Sequence, residues 1–113
     1  LTVLNLGFNQ LVTLPDSMAA LTALETLWLN NNQLVTLPDS IAALTALETL
    51  YLGYNKFTTL PDSIAALTAL ETLDLCGNPL AKPQSFAVEA WLTALEAGGC
   101  DVKTTDPDED SGW

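Results

Sequence analysis

The chain of 113 residues has no histidine and only three cations, Lys56, Lys82 and Lys103, against 14 carboxylates. Without histidine, the usual Ser-His and Cys-His couples of nucleophilic catalysis and the imidazole-ligated zinc sites cannot be built. No glycine-rich phosphate loop and no nucleophile elbow is present either, so no catalytic residue, metal or cofactor is expected. The net charge of -11 opposes phosphates and anionic lipids, which argues against nucleic acid or a membrane as partner. Cationic partners, or a salty medium, fit that charge better. No apolar run approaches the ~20 residues that cross a bilayer, and no signal peptide is visible. Two cysteines, Cys76 and Cys100, are too few for a disulfide framework. A bridge between them is geometrically open; two reduced thiols would instead fit a reducing, cytoplasmic setting, with secretion not excluded.

What the chain does have is repetition. "LPDSIAALTALETL" stands at 37–50 and again at 60–73, and "LPDSMAALTALETL" at 14–27 differs in one residue, so the period is 23 residues. In rows of that length, leucines align as Leu4, Leu27, Leu50, Leu73 and as Leu6, Leu29, Leu52, Leu75, and asparagines as Asn9, Asn32, Asn55, Asn78. A fixed period of this size signals stacked coils, each of which buries its apolar face only against its neighbours.

Within a row, "LETLWL" and its equivalents alternate apolar and polar residues, which predicts short strands near 2–6, 25–29, 48–52 and 71–75 with the leucines inward. The asparagine follows where the chain must turn, and its amide can satisfy turn backbone inside the stack. The four asparagines therefore form a structural ladder, whereas Asn31, one residue earlier, reads as an ordinary surface residue. In "LPDSIAAL" the proline suits a first helical position, and Asp16, Asp39 and Asp62 complement the positive end of a short helix or 3₁₀ turn. Met18, Ile41 and Ile64 precede Leu21, Leu44 and Leu67 by three residues, which puts each pair on one face of that turn.

Each row reads LxxLxLxxNx(L/F) followed by LPxxIxxLxx, a pattern that resembles the leucine-rich repeat in its 23-residue form over about residues 1 to 92. The resemblance implies an α/β fold: a right-handed solenoid of about four coils, with a parallel sheet on the concave face and short helices or 3₁₀ turns on the convex one. It further implies a non-catalytic module that binds a protein or peptide on the concave sheet face.

Function belongs where the copies differ, since the shared columns build the fold. One strand column reads Asn5, Trp28, Tyr51, Asp74; the next outward one reads Gly7, Asn30, Gly53, Cys76; the one after, Phe8, Asn31, Tyr54, Gly77. Strands ~4.8 Å apart would set Trp28 beside Tyr51, with Tyr54 and Phe8 near and Asn30 and Asp74 as polar borders. Two alternatives remain: a carbohydrate surface in which Trp28 and Tyr51 stack on sugar rings, and a purely structural segment of a longer array. Thr26, Thr49 and Thr72 form an invariant column suited to a β-branched ladder, and Glu25, Glu48 and Glu71 an acidic column at the strand entrances.

The fourth row departs after Asn78. Residues 79–102 read as a C-terminal cap: a helix over 85–97 with Ser85 as N-cap, Gly98-Gly99 as its stop, and a last strand in "CDVK". Phe86, Ala90, Trp91, Ala94 and Leu95 are expected on one face of that helix. No equivalent cap precedes Leu1, so the first strand is expected to be truncated or open to edge-to-edge pairing with another chain. Residues 103–113, "KTTDPDEDSGW", read as an acidic disordered tail rather than a calcium loop.

Overall fold

A computed structural model of the chain describes residues 1–104. Five short strands, β1 (Val3–Asn5), β2 (Thr26–Trp28), β3 (Thr49–Tyr51), β4 (Thr72–Asp74) and β5 (Asp101–Lys103), form one parallel sheet in sequence order. The register follows the repeat: Leu4, Leu27, Leu50, Leu73 and Val102 are successive partners across it. Parallel neighbours need a crossover, and here each one is a turn followed by a 3₁₀ helix, Asp16–Ala20, Asp39–Ala43 or Asp62–Ala66. The fourth crossover is the α-helix α1 (Phe86–Ala97).

Prolines 15, 38 and 61 stand one place earlier than expected. Each adopts extended backbone and caps its 3₁₀ helix from outside, and its carbonyl accepts the N–H of Met18, Ile41 or Ile64. The fixed φ of proline serves an extended cap as well as a first helical residue, so the proline column alone does not decide between them. Met18, Ile41 and Ile64 are buried as the spacing predicts, and with the strand leucines they form one continuous core.

Asn32, Asn55 and Asn78 each bond across successive coils. Asn55 donates through Nδ2 to the carbonyls of Leu29 (2.9 Å) and Leu52 (3.0 Å), while its Oδ1 accepts from the Leu34 N–H at 3.1 Å. Asn32 repeats this with Leu6, Leu29 and Leu11, and Asn78 with Leu52, Leu75 and Phe57. One amide thus joins two coils. Asn9, in the first coil, bonds only within its own turn, to Leu6 and Gly7.

Helix α1 covers the last coil. Ser85 is its N-cap and accepts the Val88 N–H, and the helix ends at Gly98. Its inward side carries Val88, Trp91, Leu92 and Leu95: of the expected stripe Trp91 and Leu95 turn inward, while Phe86, Ala90 and Ala94 are exposed. Phe86, in the first turn, overhangs the coil and is 90% exposed. Trp91 donates its indole N–H to the carbonyl of Leu67 at 2.9 Å, and Gln84, buried just before the helix, takes over the asparagine role. Its Oε1 accepts from the Leu60 N–H and its Nε2 donates to Thr58 and Ala81.

Strand β5 takes in Lys103, the first residue of the expected tail; residues 105–113 lie outside the described residues, and with them the expected disorder and the calcium reading. The register also removes the disulfide. Thr72 pairs with Asp101, so Cys100 is level with Glu71 while Cys76 lies five residues further along its strand. At ~3.3 Å per residue that is far beyond the ~7 Å Cα limit for a bridge, and neither thiol is in a disulfide.

Candidate functional site

Side chains alternate across a strand, so once the leucines turn inward, residues on either side of them must face out. Along the sheet this produces the column Asn5, Trp28, Tyr51, Asp74, Lys103 and the column Val3, Thr26, Thr49, Thr72, Asp101. Trp28 and Tyr51, on adjacent rungs, stack with ring centroids 4.1 Å apart and planes 25° from parallel. Both are half-buried. Each ring has one face covered by the other, which leaves a sugar only the outer faces and weakens the carbohydrate reading.

The stack displaces a turn device. Asn5 and Asp74, at the two ends of the same column, each accept through Oδ1 the N–H two residues on, Gly7 or Cys76, at 2.9 Å. The ring of Trp28 or Tyr51 cannot fold back in this way. Asp74 is therefore a structural acceptor as well as a polar border to Tyr51.

The third column holds a backbone feature that the sequence pattern hid. Phe8, Asn31, Tyr54 and Gly77 all adopt positive φ, between 57° and 74°. Glycine does so without strain and asparagine with little, but an aromatic residue there is an outlier costing on the order of 1 kcal/mol. Asn31 is thus no ordinary surface position: it takes the left-handed turn, and its Oδ1 accepts from Asn30 Nδ2 at 2.9 Å. The visible signal was the pair Asn31 and Gly77, both left-handed formers in one column; Phe8 and Tyr54 masked it.

The predicted residues fall into two groups. Trp28 and Tyr51 touch, with Asp74 beside Tyr51 and Asn30 two residues beyond Trp28 on the same side. Asn30 is half-buried, and its Oδ1 lies against Gly7, where a Cβ would come within 2.8 Å of it. Tyr54 lies at the rim, 49% exposed, its ring laid over Gly77 so closely that a Cβ there would meet it at 2.5 Å. Phe8 is the outlier of the set: 78% exposed and two coils from Tyr54, it does not join the stack.

Lys103 was missed. It is the register partner of Asp74, and its ammonium lies 4.0 Å from the Asp101 carboxylate, both exposed. The alignment of Cys100 and Val102 with leucine positions already implied it, but the polar composition after Val102 suggested a tail. Burial pushes the Cys100 thiol up from its ordinary pKa, helped by the nearby Asp101, Glu96 and Glu71 carboxylates, so it is a poor nucleophile at neutral pH. Among the described residues no cluster of His, Cys, Asp and Glu suited to a metal is present, and no helix is long and apolar enough to cross a membrane.

Sequence models of the leucine-rich repeat match residues 22–80 and residues 1–21. No curated protein matches the chain. Solved structures do, and 112 of their chains match. One is a leucine-rich repeat protein of Leptospira interrogans, 35% identical with a TM-score of 0.80 over 91% of this chain. This chain spans 25% of the length of that one. With a family match over more than half of its length, on a five-stranded parallel sheet crossed by 3₁₀ turns, the chain belongs to the leucine-rich repeat family.

Proposed function

We propose that the chain is a non-catalytic module that binds a protein or peptide on its concave sheet face. Trp28, Tyr51 and Tyr54 supply the contact area, with Asn30 and Asp74 at its border. The observation that carries this is the Trp28–Tyr51 stack: two large aromatics face outward on the middle rungs, where the same column at either end holds a turn-capping Asn5 or Asp74. Outward-facing aromatics of this kind are enriched in binding hot spots, at ~2 kcal/mol or more each. The left-handed strain at Tyr54 supports the same assignment, since glycine or asparagine would fill that position at lower cost. Phe8, 78% exposed on the first coil, belongs to the periphery of this contact.

Affinity capture with the wild-type chain, compared with a Trp28→Ala, Tyr51→Ala variant, tests the assignment. The variant should keep its circular dichroism spectrum and lose no more than ~2 kcal/mol of stability, because both rings are on the solvent side of the sheet. A captured protein should bind it at least about a hundredfold more weakly. Unchanged affinity would move the binding surface elsewhere.

A further inference from the structure

The glutamate column borders the aromatic stack without forming part of it. Backbone bonds hold it in register: the Glu48 N–H donates to the Glu25 carbonyl at 2.8 Å, the Glu71 N–H to the Glu48 carbonyl at 2.7 Å, and the Asp101 N–H to the Glu71 carbonyl at 2.9 Å. Three exposed carboxylate side chains are thereby lined up at the rung spacing of ~4.8 Å. Like charges in line across a sheet repel.

Among the described residues the cations do not offset this charge. Lys56 follows the Asn55 turn, Lys82 precedes α1, and Lys103 stands beside Asp101. None occupies the column Thr2, Glu25, Glu48, Glu71, Cys100 or the threonine column next to it. Asp74 adds a carboxylate beside Tyr51, while on the last rung the Lys103 ammonium offsets the Asp101 carboxylate. Acid therefore bounds the Trp28–Tyr51 stack at the strand entrances and at Asp74, while Asn5 and Gly7 carry no charge on the N-terminal side.

We infer that the occupant of this face is a cationic polypeptide segment, rich in arginine or lysine, lying across the rungs; this rests on the concave-face reading above. Its basic side chains meet Glu25, Glu48 and Glu71, and a neighbouring guanidinium lies flat on an outer face of the aromatic pair. The planar, weakly hydrated guanidinium suits both surfaces, a carboxylate through paired hydrogen bonds and an aromatic ring through its face. Opposed surface potentials also speed encounter, an effect that salt removes.

The probe is a fluorescently labelled nona-arginine peptide, with a nona-glutamate peptide as its opposite, titrated by fluorescence anisotropy. Nona-arginine should bind and nona-glutamate should not. Affinity should fall at least about tenfold between 0.1 and 1 M salt, as the screening length shrinks from about 10 to about 3 Å. Replacing the rim by Glu25→Gln, Glu48→Gln, Glu71→Gln should weaken binding about tenfold, in line with three exposed ion pairs. Asp16→Asn, Asp39→Asn, Asp62→Asn removes the same charge on the convex side and keeps the acceptors for Ser63 and Ser85; it should cost less than about threefold. Equal losses in the two triple variants, or no binding of nona-arginine, overturns the inference. If a captured protein loses affinity with Trp28→Ala, Tyr51→Ala yet is indifferent to the rim and to salt, the binding face stands and its cationic specificity falls. If nona-arginine depends on the rim but not on the two rings, the aromatic assignment falls instead.

Discussion

The first coil and the last coil of the described residues carry the same leucine pattern and meet different fates. Leu4, Leu6, Leu11 and Leu21 are only partly buried, while their equivalents one coil on, Leu27, Leu29, Leu34 and Leu44, are 0% exposed. At the other end Leu73 and Leu75 are also 0% exposed, because α1 and β5 close over them. The leucine in a repeat is a half-finished contact, and the coil on each side completes it. Of the closing residues, Val102 takes the leucine place in the register, while Gln84 and Trp91 follow none of the repeat's columns yet bond the backbone of the third coil at Thr58, Leu60 and Leu67.

Core leucines give the widest contrast. Leu50→Ala, flanked by coils on both sides, should destabilise by ~3 to 5 kcal/mol in chemical denaturation, and Leu4→Ala by less than ~2, because a partly exposed site loses less apolar contact and leaves no sealed cavity. Similar values for the two would mean that the first coil is as well covered as the third. Next comes the ladder. Asn55→Ala orphans the Leu34 N–H and leaves the Leu29 and Leu52 carbonyls with one amide donor instead of two, from Asn32 and Asn78; it should cost ~1 to 3 kcal/mol, whereas Asn9→Ala, whose bonds are local and exposed, should cost under ~1. The denaturation midpoints of the two variants decide it.

The cap is the third test. Trp91→Phe keeps most of the apolar bulk but leaves the Leu67 carbonyl without its indole donor, so a loss of ~1 to 2 kcal/mol is expected; no change in melting would show that packing alone closes the end. The smallest effect should have the opposite sign. Phe8→Asn puts a residue tolerant of positive φ at an exposed left-handed position of the first coil and should raise stability by a few tenths to ~1 kcal/mol, read from the thermal midpoint.

Most of the fold was legible because one period constrains every level at once. A slip of one residue would send Leu27 and Leu50 outward and break the Asn32 and Asn55 bonds together. Helix α1 was legible at its ends, where Ser85 and Gly98 act locally, but only partly in its facing, where Trp91 and Leu95 turn inward as expected and Phe86, Ala90 and Ala94 do not. Which side turns inward depends on how the helix lies on the third 3₁₀ turn, and a chain with both Phe86 and Val88 in the first turn does not say which is covered. The stack of Trp28 on Tyr51 followed from rung spacing. The positive φ of Tyr54 did not, since residue preference argues against it. Gln84 escaped because it fills the ladder's role from a position outside the ladder's column, and the bridge between Cys76 and Cys100 failed on register, which sequence distance does not reveal.

The amides that tie one coil to the next also set an order in time. The N–H of Leu34 is held by Asn55, and that of Leu11 by Asn32, so each is released only when the coil after it lets go or its own coil peels away. A chain closed at one end and partly bare at the other has its easiest opening at the bare end. In deuterium exchange the Leu11 amide should therefore label well before that of Leu34, with Phe57, held by Asn78 and nearer the closed end, later still. Such a gradient makes the outer sheet face stiffest under Tyr51 and Asp74 and most yielding under Asn5 and Phe8, so a ligand meets a surface that is rigid on one side of the aromatic pair and compliant on the other.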